Sequence, residues 1–250
     1  MSSSLPPEIV DLVIDQLRDE PATLRACCLV SKSWIPRARS HLFAHVKFIA
    51  QKTPITSWIE TFPDPSNSPA HHTRSLTIQR LPAFITTGVD VGSWIRTFQN
   101  VVDLRFEHIT WPDHQAPLAP FHGFSHTVRS LRLTYTSFEV FDLVCSFPLL
   151  EDLALVGLRP KDDIVGLKSP STSPKLTGSL NISTNVGTRS AIRRLLDFPN
   201  GLHFTKIALT CLGGDFGAAA DLVSRCSGSL ESLDIRCFLS GASPSASLVG

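Results

Sequence analysis

Nine histidines and six cysteines are the residues of this chain best suited to metal or nucleophilic chemistry, and their spacing argues against both. The pair His71-His72 and the run His108, His114, His122, His126 lack the tight Cys/His spacing of a structural zinc site. The second set also spans a Pro-rich loop, so no metal site is expected. Six cysteines are too sparse for a disulfide framework and show no paired metal spacing. Cys27-Cys28 sit inside an apolar helical pattern, where reduced thiols pack as small apolar groups. A Ser/His/Asp hydrolase needs a positioned nucleophile such as the strained Gly-x-Ser-x-Gly elbow, and that string does not occur. Neither Gly-x-Gly-x-x-Gly nor Gly-Lys-Ser/Thr is present, so no phosphate loop is expected. Gly213-Gly214-Asp215 reads as a turn. Arg189, Arg193 and Arg194 read as the solvated face of one helix. The residues therefore predict neither enzyme activity nor a cofactor.

Composition narrows the classes further. With 23 basic and 22 acidic residues the net charge is +1, and nucleic-acid binding calls for a basic surplus or stripe that is not seen. Apolar residues make up 42% and charged residues 18%, an ordinary globular balance. Met1-Ser2-Ser3-Ser4 has no basic or apolar signal region, and no apolar run approaches the roughly eighteen residues of a membrane span. The cytosol or nucleus is the expected location. A chain of 250 residues exceeds the usual single-core domain, which predicts one domain plus an appendage.

The appendage is N-terminal. Pro6 and Pro7 suit the first turn of a helix, where a missing N–H costs nothing, and Glu8 and Asp11 favour the positive end of its dipole. Ile9, Val13 and Leu17 recur at i, i+4, i+8, with Val10 and Ile14 widening the stripe. Arg18-Asp19-Glu20-Pro21 breaks that helix and starts a second, whose buried side is Leu24, Cys27 and Cys28. Ser33 is the expected cap of a third helix, with Pro36 in its tolerant first turn and Trp34, Ala38 and Leu42 on one side. Three short helices in about 40 residues bury little surface alone. Such a unit leans on the next domain or offers an apolar face to a partner.

Leu5-Pro6-Pro7-Glu8-Ile9 together with Cys28-Leu29-Val30-Ser31-Lys32-Ser33-Trp34 resembles an F-box, over roughly Leu5 to Phe48. The resemblance implies a three-helix module that docks a substrate receptor onto the Skp-family adaptor of a cullin–RING ubiquitin ligase. It also implies that Leu5, Pro6, Ile9, Leu17, Leu24, Val30 and Trp34 pack on or support the adaptor interface. The competing reading is a helical cap whose apolar residues only cover the end of the following domain.

From residue 46 the chain repeats. Two apolar residues separated by one recur as Val46/Phe48, Leu76/Ile78, Leu104/Phe106, Leu131/Leu133, Leu153/Leu155, Leu180/Ile182, Ile207/Leu209 and Leu233/Ile235. From Leu76 the steps are 28, 27, 22, 27, 27 and 26 residues, the range of leucine-rich repeats, in which each strand returns to a parallel neighbour. A third apolar residue often follows, as Leu81, Ile109, Leu158, Leu212 and Phe238. Helical returns are expected around Pro54–Phe62, Gly92–Phe98, Phe138–Phe147, Arg189–Phe198 and Gly217–Cys226, several ending in Phe-Pro or Phe-Gln. Asp113–Gly123 and Arg159–Pro174 read as loops. The Asn or Cys of the strict consensus is variable, so the repeat is degenerate, as in the bodies behind F-boxes of fungal families. The fold class expected is α/β: an F-box over 1–45, then an irregular leucine-rich-repeat solenoid with a parallel sheet over 46–250. Another α/β packing of the same segments is the alternative. No polar capping helix follows Phe238, so the solenoid is expected to be incomplete at the C-terminus, as in a truncated gene model or a fragment.

Residues between the apolar anchors face the other way and make a mixed polar surface. Arg105 and Arg132 fall in one column about 5 Å apart, flanked by Glu107 and Thr134. These four are the candidate substrate contacts, since paired guanidinium groups can receive a carboxylate or phosphate. The favoured, blander reading has Glu107, Asp103 and Asp152 neutralise the arginines. The function expected is the substrate-recognition subunit of an SCF-type ubiquitin ligase, with the adaptor, the cullin and a protein target as partners. A leucine-rich scaffold acting outside any ligase is the alternative.

Overall fold

The computed structural model describes residues 6–50, 52–80, 91–109, 119–124, 126–136, 143–158, 174–183, 188–212 and 216–238. The fold is α/β, with an eight-stranded parallel sheet whose order follows the chain, β1 to β8. The chain divides into two compact units, Met1–Arg105 with Pro117–Val128, and Phe106–Ala116 with Arg129–Gly250.

The first unit opens with α1 (Pro7–Gln16), α2 (Pro21–Val30) and α3 (Ile35–Leu42). Each carries a proline in its first turn, where the absent N–H has no helical partner to lose. Ser33 does not cap α3, which has no side-chain cap at Trp34; instead the Ser31 Oγ accepts from the Ser33 N–H at 3.3 Å and caps a 3-10 turn, Lys32–Trp34, that leads into α3. Ile14, Leu24, Cys27 and Ala38 form the centre of this bundle, with Val10, Leu17, Cys28, Trp34 and Leu42 packed around it. Then follow β1 (His45–Ile49), α4 (Ile55–Thr61), β2 (Ser75–Gln79), the short α5 (Val91–Ile95) and the start of β3 (Asp103–Glu107). Val46, Phe48, Leu76 and Ile78 are buried as the alternation predicts. Phe98, which closes the α5 return, is fully buried, with ring centroids 5.8 Å from Phe48 and 5.4 Å from Trp58.

The second unit carries β4 (Ser130–Thr134), β5 (Asp152–Val156), β6 (Ser179–Ser183), α6 (Thr188–Leu196), β7 (Lys206–Leu212), α7 (Phe216–Cys226) and β8 (Ser232–Phe238). In-register pairing sets Leu131 beside Leu153, Leu153 beside Leu180, Leu180 beside Ile207 and Ile207 beside Leu233. One device recurs before the strands: a single carbonyl accepts two successive N–H groups of the next repeat. Ala44 serves Arg74 and Ser75, Arg129 serves Glu151 and Asp152, and Thr205 serves Glu231 and Ser232. Ile109 and Leu158, the extra apolar residues after their strands, are buried.

Four expectations change. The described end of the Asp113–Gly123 loop belongs to a 3-10 turn, Ala119–Phe124, because Phe121 and Phe124 are buried there. Of the helix expected over Phe138–Phe147, the described residues 143–146 form a 3-10 turn. Arg194 is buried on α6, although Arg189 and Arg193 are exposed as expected. Leu233 and Ile235 are exposed on β8, the terminal strand of the sheet order. The Arg159–Pro174 loop lies, but for Pro174, outside the described residues, as do Leu81 and the segment after Phe238.

A residue in the left-handed region follows each of β2 to β5: Arg80, His108, Tyr135 and Gly157, with φ of 59°, 53°, 50° and 60°. The N–H groups of His108, Tyr135 and Gly157 donate to the last carbonyls of the next strands, Thr134, Val156 and Ser183, at 2.8, 2.7 and 2.9 Å. At Gly157 a Cβ would also lie 2.5 Å from the Tyr135 ring. Gly157→Ala is therefore expected to lower stability by about 1–2 kcal/mol, measured by chemical denaturation. The loss should shrink in a Tyr135→Ala background, where only the φ penalty remains.

Candidate partner-docking face

Helix α1 has apolar residues around an arc of about 200°, more than one three-helix core can cover. Packing divides them. Val10, Ile14 and Leu17 turn inward, Ile14 to 1% exposure. Ile9, Leu12 and Val13 stay 44, 58 and 53% exposed, so the expected stripe of Ile9, Val13 and Leu17 is split between two faces. On α2, Leu24 and Cys27 are buried, while Leu29 and Val30 at its C-terminal end are 89 and 64% exposed. One small bundle thus leaves five large apolar side chains in water, although its own core is already formed. Scattered exposed apolar residues are ordinary; several on one small module make a candidate docking surface.

The sequence-predicted contacts fall into three groups. Pro6, Ile9 and Val30 are exposed. Leu17 and Trp34 are half-buried against the bundle core, and Leu24 is inside it. Those three support the face rather than form it. Leu5 lies outside the described residues. Leu12, Val13 and Leu29 were missed as contacts, Val13 counting only as part of the expected helix stripe. Leu12 sits three residues after Ile9, a spacing that places it beside Ile9 on a helix; for Leu29 the sequence holds no comparable signal.

The face is held by a polar clamp on the bundle. The Asp15 carboxylate accepts from Arg37 Nε at 2.5 Å and from a terminal Arg37 nitrogen, and it meets His41 Nε2 at 2.7 Å. These hydrogen bonds, Arg37 first, lower the Asp15 pKa from 3.8 to about 2. A depressed carboxylate pKa stabilises the fold above the unfolded value, and the gain is lost as pH falls from 3.8 to about 2. Arg37 is partly exposed, so solvent screening reduces the effect to about 1 kcal/mol at neutral pH. Asp15→Asn should lower the melting temperature at pH 7, with the gap to wild type closing in acid.

No protein-family model matches this chain, and no curated protein matches it either.

On the sheet, Arg105 donates to Asp103 Oδ2 from Nε at 2.8 Å and from a terminal nitrogen at 2.5 Å, and Ser75 Oγ donates to the same oxygen at 3.0 Å. Asp103 thus holds the Arg105 guanidinium along its own strand. Asp152 is engaged elsewhere, accepting from the Ser179 N–H at 3.0 Å and its hydroxyl at 2.5 Å. Arg132 is exposed, and Glu107 and Thr134 are half-buried. Ser75 and Thr77, expected on the open polar face, are each 8% exposed. Beyond the strand ends His108 and Tyr135 stack with centroids 5.0 Å apart and planes 18° apart, a pairing that the sequence did not signal. The His71 and His72 rings lie 3.9 Å apart, and His71 Nδ1 meets the Ser68 carbonyl at 3.0 Å. Among the described residues no group of three or more His, Cys, Asp or Glu is placed to hold a metal ion, and no helix is long and apolar enough to cross a membrane.

Proposed function

We propose that this chain is the substrate-recognition subunit of an SCF-type cullin–RING ubiquitin ligase. In this reading residues 1–45 are an F-box that docks on a Skp-family adaptor, and 46–250 are a leucine-rich-repeat-like solenoid that holds a protein target. The observation that carries the reading is the exposure of Ile9, Leu12 and Val13 on α1 and of Leu29 and Val30 at the end of α2, on a bundle whose core is already packed. A helical cap would turn its apolar residues onto the neighbouring repeat and leave fewer of them in water. The solenoid reading is supported by parallel strands that follow one another in chain order, the repeat spacing, and the recurring two-into-one carbonyl before the strands.

The chain's contribution to the reaction is proximity. Holding a target lysine near the ubiquitin thioester raises its effective concentration, with no catalytic side chain supplied here. A scaffold acting outside any ligase is the rival reading, and the cullin separates the two. Purification of the tagged chain from cells expressing a Skp-family adaptor and a cullin should recover both. Recovery of the adaptor without the cullin would favour the scaffold.

A further inference from the structure

Along β1 lies a groove of about 620 Å³, lined by residues from α2, the end of α3, β1, the turn after it and α4. Its lining divides by chemistry. Part of it is aromatic: Phe43, Phe48, Trp58 and Phe62. Trp58 is held in place by its indole N–H, which donates to Ser68 Oγ at 3.2 Å, and by rings of Phe43 at 5.7 Å and Phe62 at 4.9 Å. The lining also carries Arg25, Lys47, Lys52 and the imidazole of His45, all exposed, and among the described residues no carboxylate lines the groove.

His45 and Lys47 belong to one face of β1, and Val46 and Phe48 to the other. Both pairs line the groove, so it follows the long edge of the end strand rather than lying over one face. Its far end is closed by Thr53. Ile49 and Thr53 exchange backbone hydrogen bonds of 3.1 and 3.0 Å, and Thr53 Oγ1 donates to the Lys47 carbonyl at 3.1 Å. That turn caps the strand against extended pairing with another chain, which leaves side chains as the means of recognition.

We propose that this groove docks an acidic, extended segment of a protein partner. An aromatic or branched apolar side chain enters beside Trp58, and flanking carboxylates reach Arg25, Lys47 and Lys52. A cleft lined by one sign of charge concentrates the opposite sign, and a buried apolar anchor ringed by polar contacts is the usual energetic pattern of an interface. A nucleic-acid strand fits less well. Stacking of successive bases needs several open aromatic faces, whereas the rings of Phe43, Phe48, Phe62 and Phe98 pack against Trp58 and one another. That the partner is a ligase target rests on the proposed function; the groove's preference for an acidic, apolar-centred peptide does not.

The test uses the full chain and a short fluorescein-labelled peptide of alternating Glu and Asp around one central Phe, read by anisotropy. Saturable binding is expected at physiological salt. It should weaken about tenfold or more in Lys47→Glu/Lys52→Glu and, separately, in Arg25→Glu, and by a similar factor when the peptide's Phe becomes Ser. Thermal melts of each variant check that it still folds. Adaptor capture by Lys47→Glu/Lys52→Glu, which lies outside the three helices, should also persist, which keeps a failure of the groove distinct from a failure of the receptor reading. Absent saturation, or wild-type affinity in folded charge-reversal variants, overturns the proposal. So does equal competition by an oligothymidylate of matched charge, which would make the groove a general polyanion site.

Discussion

Ile9→Asp/Val13→Asp should abolish measurable adaptor capture, a loss of 100-fold or more in affinity, while leaving the melting temperature of the chain within about 2 °C of wild type. The two halves of this expectation have different physical sources. Both side chains are about half exposed in the free chain, at 44 and 53%, so aspartate there meets water and unfolds nothing. In a docked complex the same positions would be desolvated, and an unpaired carboxylate at an apolar contact costs several kcal/mol. Each 1.4 kcal/mol is tenfold in affinity, so two such charges exceed the 100-fold mark. Binding is read by calorimetry with purified adaptor, and folding by thermal melts of the same samples.

Leu24→Ala should do the reverse: stability falls first and adaptor capture falls with it. Leu24 is 1% exposed at the centre of the bundle, against Ile14, Cys27 and Ala38. Truncating a buried leucine costs about 2–5 kcal/mol through lost transfer energy and the cavity left behind. A module of about 40 residues has little stability in reserve, so the three helices should lose their cooperative packing. The signature is a drop in helical circular dichroism, and partial recovery of capture at low temperature or with Leu24→Met, which conserves volume. A direct contact residue would not behave so. Leu24 thus separates support of the face from membership in it.

The repeat was legible because alternation is a local signal. The pairs from Val46/Phe48 through Ile207/Leu209 are buried as their spacing requires, and α4, α6 and α7 fall where the apolar returns predict. The division of α1 was not legible. Ile9, Val10, Val13, Ile14 and Leu17 are chemically alike, and only contact with α2 and α3 decides which of them turns inward. Arg80, His108 and Tyr135 adopt positive φ although their residue types give little hint of it; for His108 and Tyr135 the strand-end hydrogen bonds, not local preference, hold them there. The expected cap at Ser33 was misplaced by two residues because Ser31 and Ser33 are equivalent as caps, and the 3-10 turn before α3 selects the earlier one. The three N-terminal helices were legible, and the partition of apolar residues within them was not. Leu24 and Trp34 carry the same apolar signature as Ile9 and Val30, but they look inward.

Amide hydrogen exchange on the chain, free and mixed with a Skp-family adaptor, tests the central claim most directly, because it maps a footprint without altering a residue. The expected result is slower exchange on adaptor binding in α1 and in the C-terminal turn of α2 around Leu29 and Val30, with β4 to β8 unchanged. A complex whose protection falls on the strands and spares α1 would contradict the assignment of this face, and failure to form any complex with a folded chain would contradict the receptor itself.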